Sequence, residues 1–457
     1  MQNEKTTSNR RSFLKTTGKI TAATVVAGSV VPRVHAAENN TIQVALIGCG
    51  GRGTGAARDA LSVQNGPVKL VAMADVFQNR LDNSLKSLKK IKGDQVDVPE
   101  DRQFIGFDAY RQAMDCLRPG DVAIFATPPA FRWVHFGYAI GKGLNVFMEK
   151  PVTADGPTTR KMLALGKQSI EKNMKVGVGL MCRHALDRIE LLDRIRQGDV
   201  GDIVLMRAYR LHGPVGFFAS PPKPEGISDL LYQVQRFHSF IWASGGCYND
   251  FYIHNIDECC MMKDAWPVAA QALGGRHYRG DSVDQNFDNY SVEYTFADGA
   301  RLFLEGQTIA NCYSDHSSWL HGTKGSALIS VSGHSYDKCR IFSDQNTSID
   351  NQNIVWKYSK PPVRSYQKEW DDLVDAIRQD KPYNEVENGA IASLVSSMGR
   401  MAAHTGRIVT YDEILNSDHE LAPDIDKLTW DSPAPLPADA NGKYPVPQPG
   451  IVTDREY

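Results

Sequence analysis

The sequence predicts an α/β chain: a doubly wound parallel sheet toward the amino terminus, followed by a larger α+β unit built on a broad, mostly antiparallel sheet. Three observations carry this expectation. From Thr41 to about Pro151, short β-branched runs alternate with helical segments, as parallel strands joined by crossover helices require. The first run, Ile42-Gln-Val-Ala-Leu-Ile47, leads into the glycine-rich turn Gly48-Cys49-Gly50-Gly51-Arg52-Gly53 and a helical stretch from Thr54. Beyond Thr153 the pattern changes to runs with period-two alternation, separated by turn signals such as Asp298-Gly299.

Ahead of the first strand lies Asn9-Arg10-Arg11-Ser-Phe13-Leu14-Lys15, then an apolar run from Ile20 to Val31 and Val34-His-Ala36. These features read as a twin-arginine leader, residues 1–36, removed after Ala36 and exporting the protein already folded to the periplasm. The remaining elements divide into a nucleotide-binding unit (41–155), an α+β unit for substrate binding and oligomerisation (156–421) and an irregular tail (422–457). That tail is rich in Pro and Asp and is expected to wrap the surface without a core of its own.

In the first unit, Val68-Lys-Leu-Val-Ala-Met-Ala74 reads as a strand ending at Asp75. Val122 to Ala126 ends in Thr127-Pro128-Pro129, and Asn145 to Met148 ends in Glu149-Lys150-Pro151. Ligands of doubly wound sheets sit outside the carboxyl ends of the strands, so these polar residues face the expected site. In the second unit a helix (157–172) precedes a strand (175–181) and another helix (186–197). The long stretch His212 to Gly246 reads as an irregular functional or covering segment. Strands are expected at 269–273, 289–296, 300–305, 326–330 and 338–342, and closing helices at 367–379 and 389–405.

The 457 residues carry a formal charge of −2 with mixed signs, which argues against a nucleic-acid footprint or a basic membrane patch. No membrane anchor is expected once the leader is removed. The eight cysteines show no zinc-ligand spacing, and folding before export keeps them reduced, so most are expected to be buried thiols and no metal is expected.

Gly48, Gly50 and Gly53 suit a tight turn, close backbone approach to a pyrophosphate, and close helix packing. With Cys49, Gly51 and Arg52 they form a dinucleotide fingerprint, and 41–155 reads as a Rossmann domain. Asp75 follows Gly53 by 22 residues, at a strand end, where it can accept hydrogen bonds from ribose hydroxyls and favour NAD over NADP. Arg52 and Arg80 would instead suit a 2′-phosphate. Lys150, over a nicotinamide, could hydrogen-bond the reacting oxygen. In Gly245-Gly-Cys-Tyr-Asn-Asp250-Phe-Tyr-Ile-His254-Asn-Ile-Asp257, helical spacing puts Asp250, His254 and Asp257 on one face, with His254 suited to take a hydroxyl proton. Arg183, Tyr248 and Trp242 are further substrate-contact candidates, with His184 and Phe240 beside them; His321 reads as part of a structural turn.

These segments together resemble the glucose-fructose oxidoreductase and inositol dehydrogenase family, Gfo/Idh/MocA. The resemblance covers most of the chain after the leader. It includes the fingerprint, Ala126-Thr127-Pro128-Pro129 with His135 downstream, Glu149-Lys150-Pro151, Asp250-xxx-His254-xx-Asp257, His321-Gly-Thr-Lys-Gly325 and Thr405-Gly-Arg407. It implies a catalytic centre of Lys150, Asp250 and His254, and places Thr127, Pro128, His135 and Glu149 about the cofactor. Two positions depart from the family pattern: Tyr252 and Cys247 stand where glycines are usual.

The expected activity is an NAD-dependent oxidoreductase with a tightly bound cofactor, transferring hydride at a secondary hydroxyl or ketone of a sugar, polyol or glycoside. Its partners are expected to be a small carbohydrate and further copies of the chain, as a dimer or tetramer. The alternative is a redox-assisted glycosidase. The N-acetylgalactosaminidase-like members of that kind carry Tyr-Pro-Thr-His-Gly where this chain has Phe251-Tyr-Ile-His254-Asn255.

Overall fold

The computed structural model describes residues 40–277, 279–331, 335–348 and 352–457. The expected leader lies outside them. Six strands form a parallel sheet: β1 (Ile42–Ile47), β2 (Val68–Asp75), β3 (Gln103–Ile105), β4 (Val122–Phe125), β5 (Asn145–Met148) and β6 (Val176–Val178), in the order β3-β2-β1-β4-β5-β6. All five pairings are parallel, and β1, β4 and β5 are almost wholly buried, as expected of strands covered by helices on both faces. The order reverses between β1 and β4, which opens a crevice above their carboxyl ends.

The second sheet has nine strands. They are β7 (Ile203–His212), β8 (Ala269–Gly275), β9 (Asn289–Thr295), β10 (Arg301–Thr308), β11 (Ser317–Gly322), β12 (Ser326–Val331), β13 (Arg340–Phe342), β14 (Ile354–Lys357) and β15 (Val409–Thr410). The order is β14-β13-β12-β11-β7-β10-β9-β8-β15, and only β7 with β10 runs parallel. Strand β7 occupies the middle of this sheet and was not anticipated. Its inward positions Met206, Ala208 and Arg210 end in a charged residue, so the apolar half of the alternation is short. The inner face packs on the helices Ile253–Lys263 and Val386–Thr405, while the other face leaves Leu273 and Phe303 exposed.

Two expectations need correction, and a third is qualified. The strand expected over 175–181 ends at Val178, because residues 181–184 wind into a single helical turn. The stretch 212–246 is only partly irregular: Ser228 caps a helix at Asp229–Gln235 by accepting from the Leu231 amide, and Ile241–Ser244 forms another turn. The tail has no separate core, but it is anchored in a cluster shared with the preceding unit and is not merely laid on the surface. Leu421, Ile425, Leu436 and Tyr444 are buried with Phe240 and Trp242, and Glu456 is clasped by Arg400 and His404 at 2.7–2.8 Å. All eight cysteines are free and six are buried, in line with the expectation that most are buried thiols. Among the described residues no helix is long and apolar enough to cross a membrane.

Candidate active site

A cleft of about 840 Å³ runs along the carboxyl ends of β1, β2, β4 and β5. The glycine turn forms its floor. Gly48 has φ +96°, and a Cβ there would lie 2.6 Å from the carbonyl carbon of Ala126; one on Gly53 would lie 2.0 Å from the Gly48 oxygen. Those two glycines are required by packing. A Cβ on Gly50 or Gly51 would meet nothing within 4 Å, so the space over the start of the helix Gly51–Ala60 is open. That helix has no side-chain cap and no acidic residue in its first turn, which leaves its amides for an anion. The cradle therefore fits a dinucleotide pyrophosphate.

Asp75 lies on the same cleft. Its carboxylate accepts from the amides of Cys49 (2.7 Å) and Phe77 (2.9 Å), which fixes its orientation and leaves further lone pairs for a ligand. Burial raises its carboxyl above the ordinary value, against the pull of these amides and of Arg80. Arg80 packs over the Phe77 ring and donates to the Gln235 carbonyl at 3.0 Å, bridging to the 212–246 segment. Arg52 also lines the cleft, but its Nε lies 2.6 Å from Glu149 and its guanidinium over Tyr366, so it is committed to the strand-β5 end. Thr127 reaches His135 at 3.3 Å, and His135 is enclosed by Tyr110, Phe125 and Phe131. Burial, with Arg132 nearby, lowers that imidazole to about 3, so it is neutral.

At the other end Lys150 and Asp250 are in contact, and His254, four residues beyond Asp250, lines the same cleft. Asp250 belongs to a π-helical turn, Tyr248–Tyr252, which precedes the α-helix Ile253–Lys263. Such turns re-aim side chains at functional sites. Lys150 donates to the main-chain oxygen of Asp250 at 2.5 Å and lies 3.4 Å from its Oδ1. On the opposite side His238 Nε2 stands 3.0 Å from Oδ2. The Phe217 amide donates to His238 Nδ1 at 3.2 Å, which leaves Nε2 to carry the proton toward Asp250. Burial would raise the Asp250 carboxyl, but Lys150 and His238 outweigh it and hold the group well below the usual carboxylate range.

Four expected substrate contacts lie elsewhere. Asp257 is fully buried and takes a two-pronged bond from Arg183 (Nη2 to Oδ1 2.7 Å, Nε to Oδ2 3.0 Å), so neither side chain lines the cleft. Asp257 lies within the same α-helix as His254, but its carboxylate turns to Arg183 and away from the cleft. Tyr248 is buried with its hydroxyl 2.8 Å from that of Tyr294, and Trp242 donates to Gln233 at 2.6 Å. Both are core residues, as is Phe240. His184 lies between Asp372 (2.8 Å) and Glu385 (3.0 Å), and His321 bonds Gln345; neither is on the cleft. The sequence reading missed His238, Arg132, Arg210, Phe217, Phe237 and Phe251, all of which line it. Arg210 had a legible signal, a charged residue at an inward strand position. His238 had none beyond its place in a long segment.

Residues 189–328 match the family model of the GFO/IDH/MocA C-terminal domain. A stretch of 198 residues is 24% identical to dTDP-3,4-didehydro-2,6-dideoxy-alpha-D-glucose 3-reductase of Actinomadura kijaniata; it spans 43% of this chain and 51% of that protein. Among solved structures, levoglucosan dehydrogenase in complex with NADH and levoglucosan has a TM-score of 0.61 at 17% identity. Scyllo-inositol dehydrogenase from Lactobacillus casei with bound NAD(H) and scyllo-inositol gives 0.59 at 20%, and aldose-aldose oxidoreductase from Caulobacter crescentus gives 0.60 at 17%. Each alignment covers 81% of this chain and 99% of the other, and at these identities each shows a shared fold. Residues 189–328 are thus similar to the GFO/IDH/MocA C-terminal domain, and the chain shares its fold with solved sugar and inositol dehydrogenases.

Proposed function

We propose that the chain is a Gfo/Idh/MocA oxidoreductase that uses NAD on a secondary hydroxyl or ketone of a sugar, polyol or glycoside. One observation supports the reading: Lys150, Asp250 and His254 all line the cleft that holds the glycine cradle and Asp75. The dinucleotide, once bound, would accept the hydrogen of the reacting carbon together with its electron pair. His254 takes the hydroxyl proton, and Lys150, held by Asp250, donates to the oxygen as it becomes a carbonyl. Gly48 to Gly53 hold the pyrophosphate, Asp75 the ribose hydroxyls, and Thr127, Pro128, His135 and Glu149 wall the ring end.

We also read the protein as exported folded to the periplasm, with its cofactor captive and regenerated by a second substrate. The bridge from Arg80 to Gln235 supports retention, since it ties the 212–246 segment across the cleft. The open face of the nine-stranded sheet, with Leu273 78% exposed and Phe303 38%, is where we place contacts in a dimer or tetramer.

The test is to purify the protein without added nucleotide, assay the nucleotide released on denaturation, and analyse products from a panel of sugars and glycosides. NAD(H) near one per subunit, with keto-sugar accumulating, is the expected result. Aglycone release with no net redox would favour the glycosidase, and no conversion of any substrate would sink the reading.

A further inference from the structure

The reacting end of the cleft carries more positive charge than the proposed chemistry uses. Of the cations lining the cleft, Arg52 is paired with Glu149 and Lys150 with Asp250, and Arg80 is coupled to Asp75. Arg132 and Arg210 have no carboxylate partner among the described residues. Arg132 is 1% exposed; its Nη2 donates to the Thr127 carbonyl at 2.9 Å, while Nε and Nη1 meet no partner there. Arg210 is 9% exposed on the inner face of β7, with Nη1 against His316 and Nε likewise unpartnered. Both guanidiniums line the same cleft as Asp250, Arg132 anchored at the carboxyl end of β4 through Thr127 and facing the charges of Glu149 and Asp250, Arg210 on the β7 wall.

Burying a guanidinium without a counter-charge is costly, and a fold retains such a group when a ligand brings the anion. Arg132 stays cationic at neutral pH even though burial lowers it to about 10. Arg210, less buried and on the cleft wall, is the one a ligand can reach. An arginine fork suits a carboxylate. The ionised Asp250 in the same corner favours a monoanion over a doubly charged phosphate.

We propose that the substrate is a sugar acid, a uronic or aldonic acid whose carboxylate is bound by Arg210, with Arg132 as a deeper positive charge. This rests on the oxidoreductase reading above and names its substrate class.

The experiment uses matched pairs on the full protein: glucuronate against glucose, galacturonate against galactose, and each uronamide as a neutral isostere, with glucose 6-phosphate as the dianion. Two quantities are read, kcat/KM and the rise in melting temperature on adding each compound. The acids should exceed their neutral partners by roughly 30-fold or more in kcat/KM and should raise the melting temperature further. Arg210→Gln should collapse the acid-over-neutral ratio, and Arg210→Lys should restore part of it. The comparison within the unaltered protein decides even if a variant fails to fold. Turnover favouring the neutral sugars, or the phosphate, overturns the proposal and leaves the oxidoreductase reading standing. Neither turnover nor binding of any member overturns both.

Discussion

The Lys150 ammonium lies 2.5 Å from the main-chain oxygen of Asp250 and 3.4 Å from its carboxylate, so a single residue fixes it through two atoms. One contact belongs to the backbone of the π turn and survives loss of the carboxylate. Asp250 in turn keeps His238 when Lys150 is removed. The lysine and the carboxylate are therefore separable in a way that a simple ion pair is not.

Removing Lys150 or His254 should accordingly damage the reaction more than the fold. Lys150→Ala and His254→Ala are each expected to lower turnover by roughly 10²–10⁴ while bound dinucleotide is retained. Asp250→Asn should fall between them and the unaltered protein, because the main-chain contact to Lys150 remains. Steady-state rates and melting curves on the same preparations check this. Near-normal turnover of the His254 variant would remove it as the base.

The glycine cradle yields a contrast between two alanines. Gly53→Ala would place a methyl 2.0 Å from the Gly48 oxygen, a backbone clash that the turn cannot relieve, so the domain should be destabilised by roughly 2 kcal/mol or more. Gly50→Ala meets nothing within 4 Å and Gly50 sits at φ −70°, so folding should be spared. Its methyl projects where the pyrophosphate would lie, and nucleotide content should fall. If Gly50→Ala keeps full NAD(H) content, the cradle does not hold the pyrophosphate.

The legible parts of this chain were those where one short segment dictates its own geometry. The turn Gly48 to Gly53 and the strand ends at Asp75, Thr127 and Lys150 needed only the alternation of strand and helix. The site's second wall was harder, because it is assembled from residues distant in sequence. His238 reaches Asp250 only through the fold of the 212–246 segment, and Arg210 only through β7 lying mid-sheet. Asp257 is hidden from spacing arguments because its partner, Arg183, comes from a distant element, and Tyr248 and Trp242 because aromatics beside a glycine run resemble a sugar platform until their hydroxyl and indole partners are seen.

The tail supplies a test of stability. Glu456 is buried, bonded through both oxygens to Arg400 and through one to His404, while Arg400 also donates to the carbonyls of Ala154 and Gly245. Glu456→Gln would leave Arg400 buried without its charge partner, at a cost of about 3–5 kcal/mol. Denaturant unfolding should show that loss, and removal of residues 422–457 should be at least as damaging. A change below about 1 kcal/mol, the value typical of a surface pair, would mean that the tail is only laid on the surface.

His184 should write a pH dependence into stability. Burial lowers its pKa, but the bonds to Asp372 and Glu385 outweigh that and raise it to about 10. A folded-state value above the unfolded one, about 6.5, favours the protonated ring in the native protein. The stabilisation is therefore complete below about pH 6.5 and is lost as pH climbs through that interval toward 10. His184→Asn should cost about 2–4 kcal/mol at pH 6, since Glu385 loses its paired cation and Asp372 keeps only Lys368. The gap between the variant and the unaltered protein should narrow steadily up to pH 10. Unfolding curves at pH 6, 8 and 10 measure it directly, and a gap independent of pH would show that His184 is held as the neutral ring.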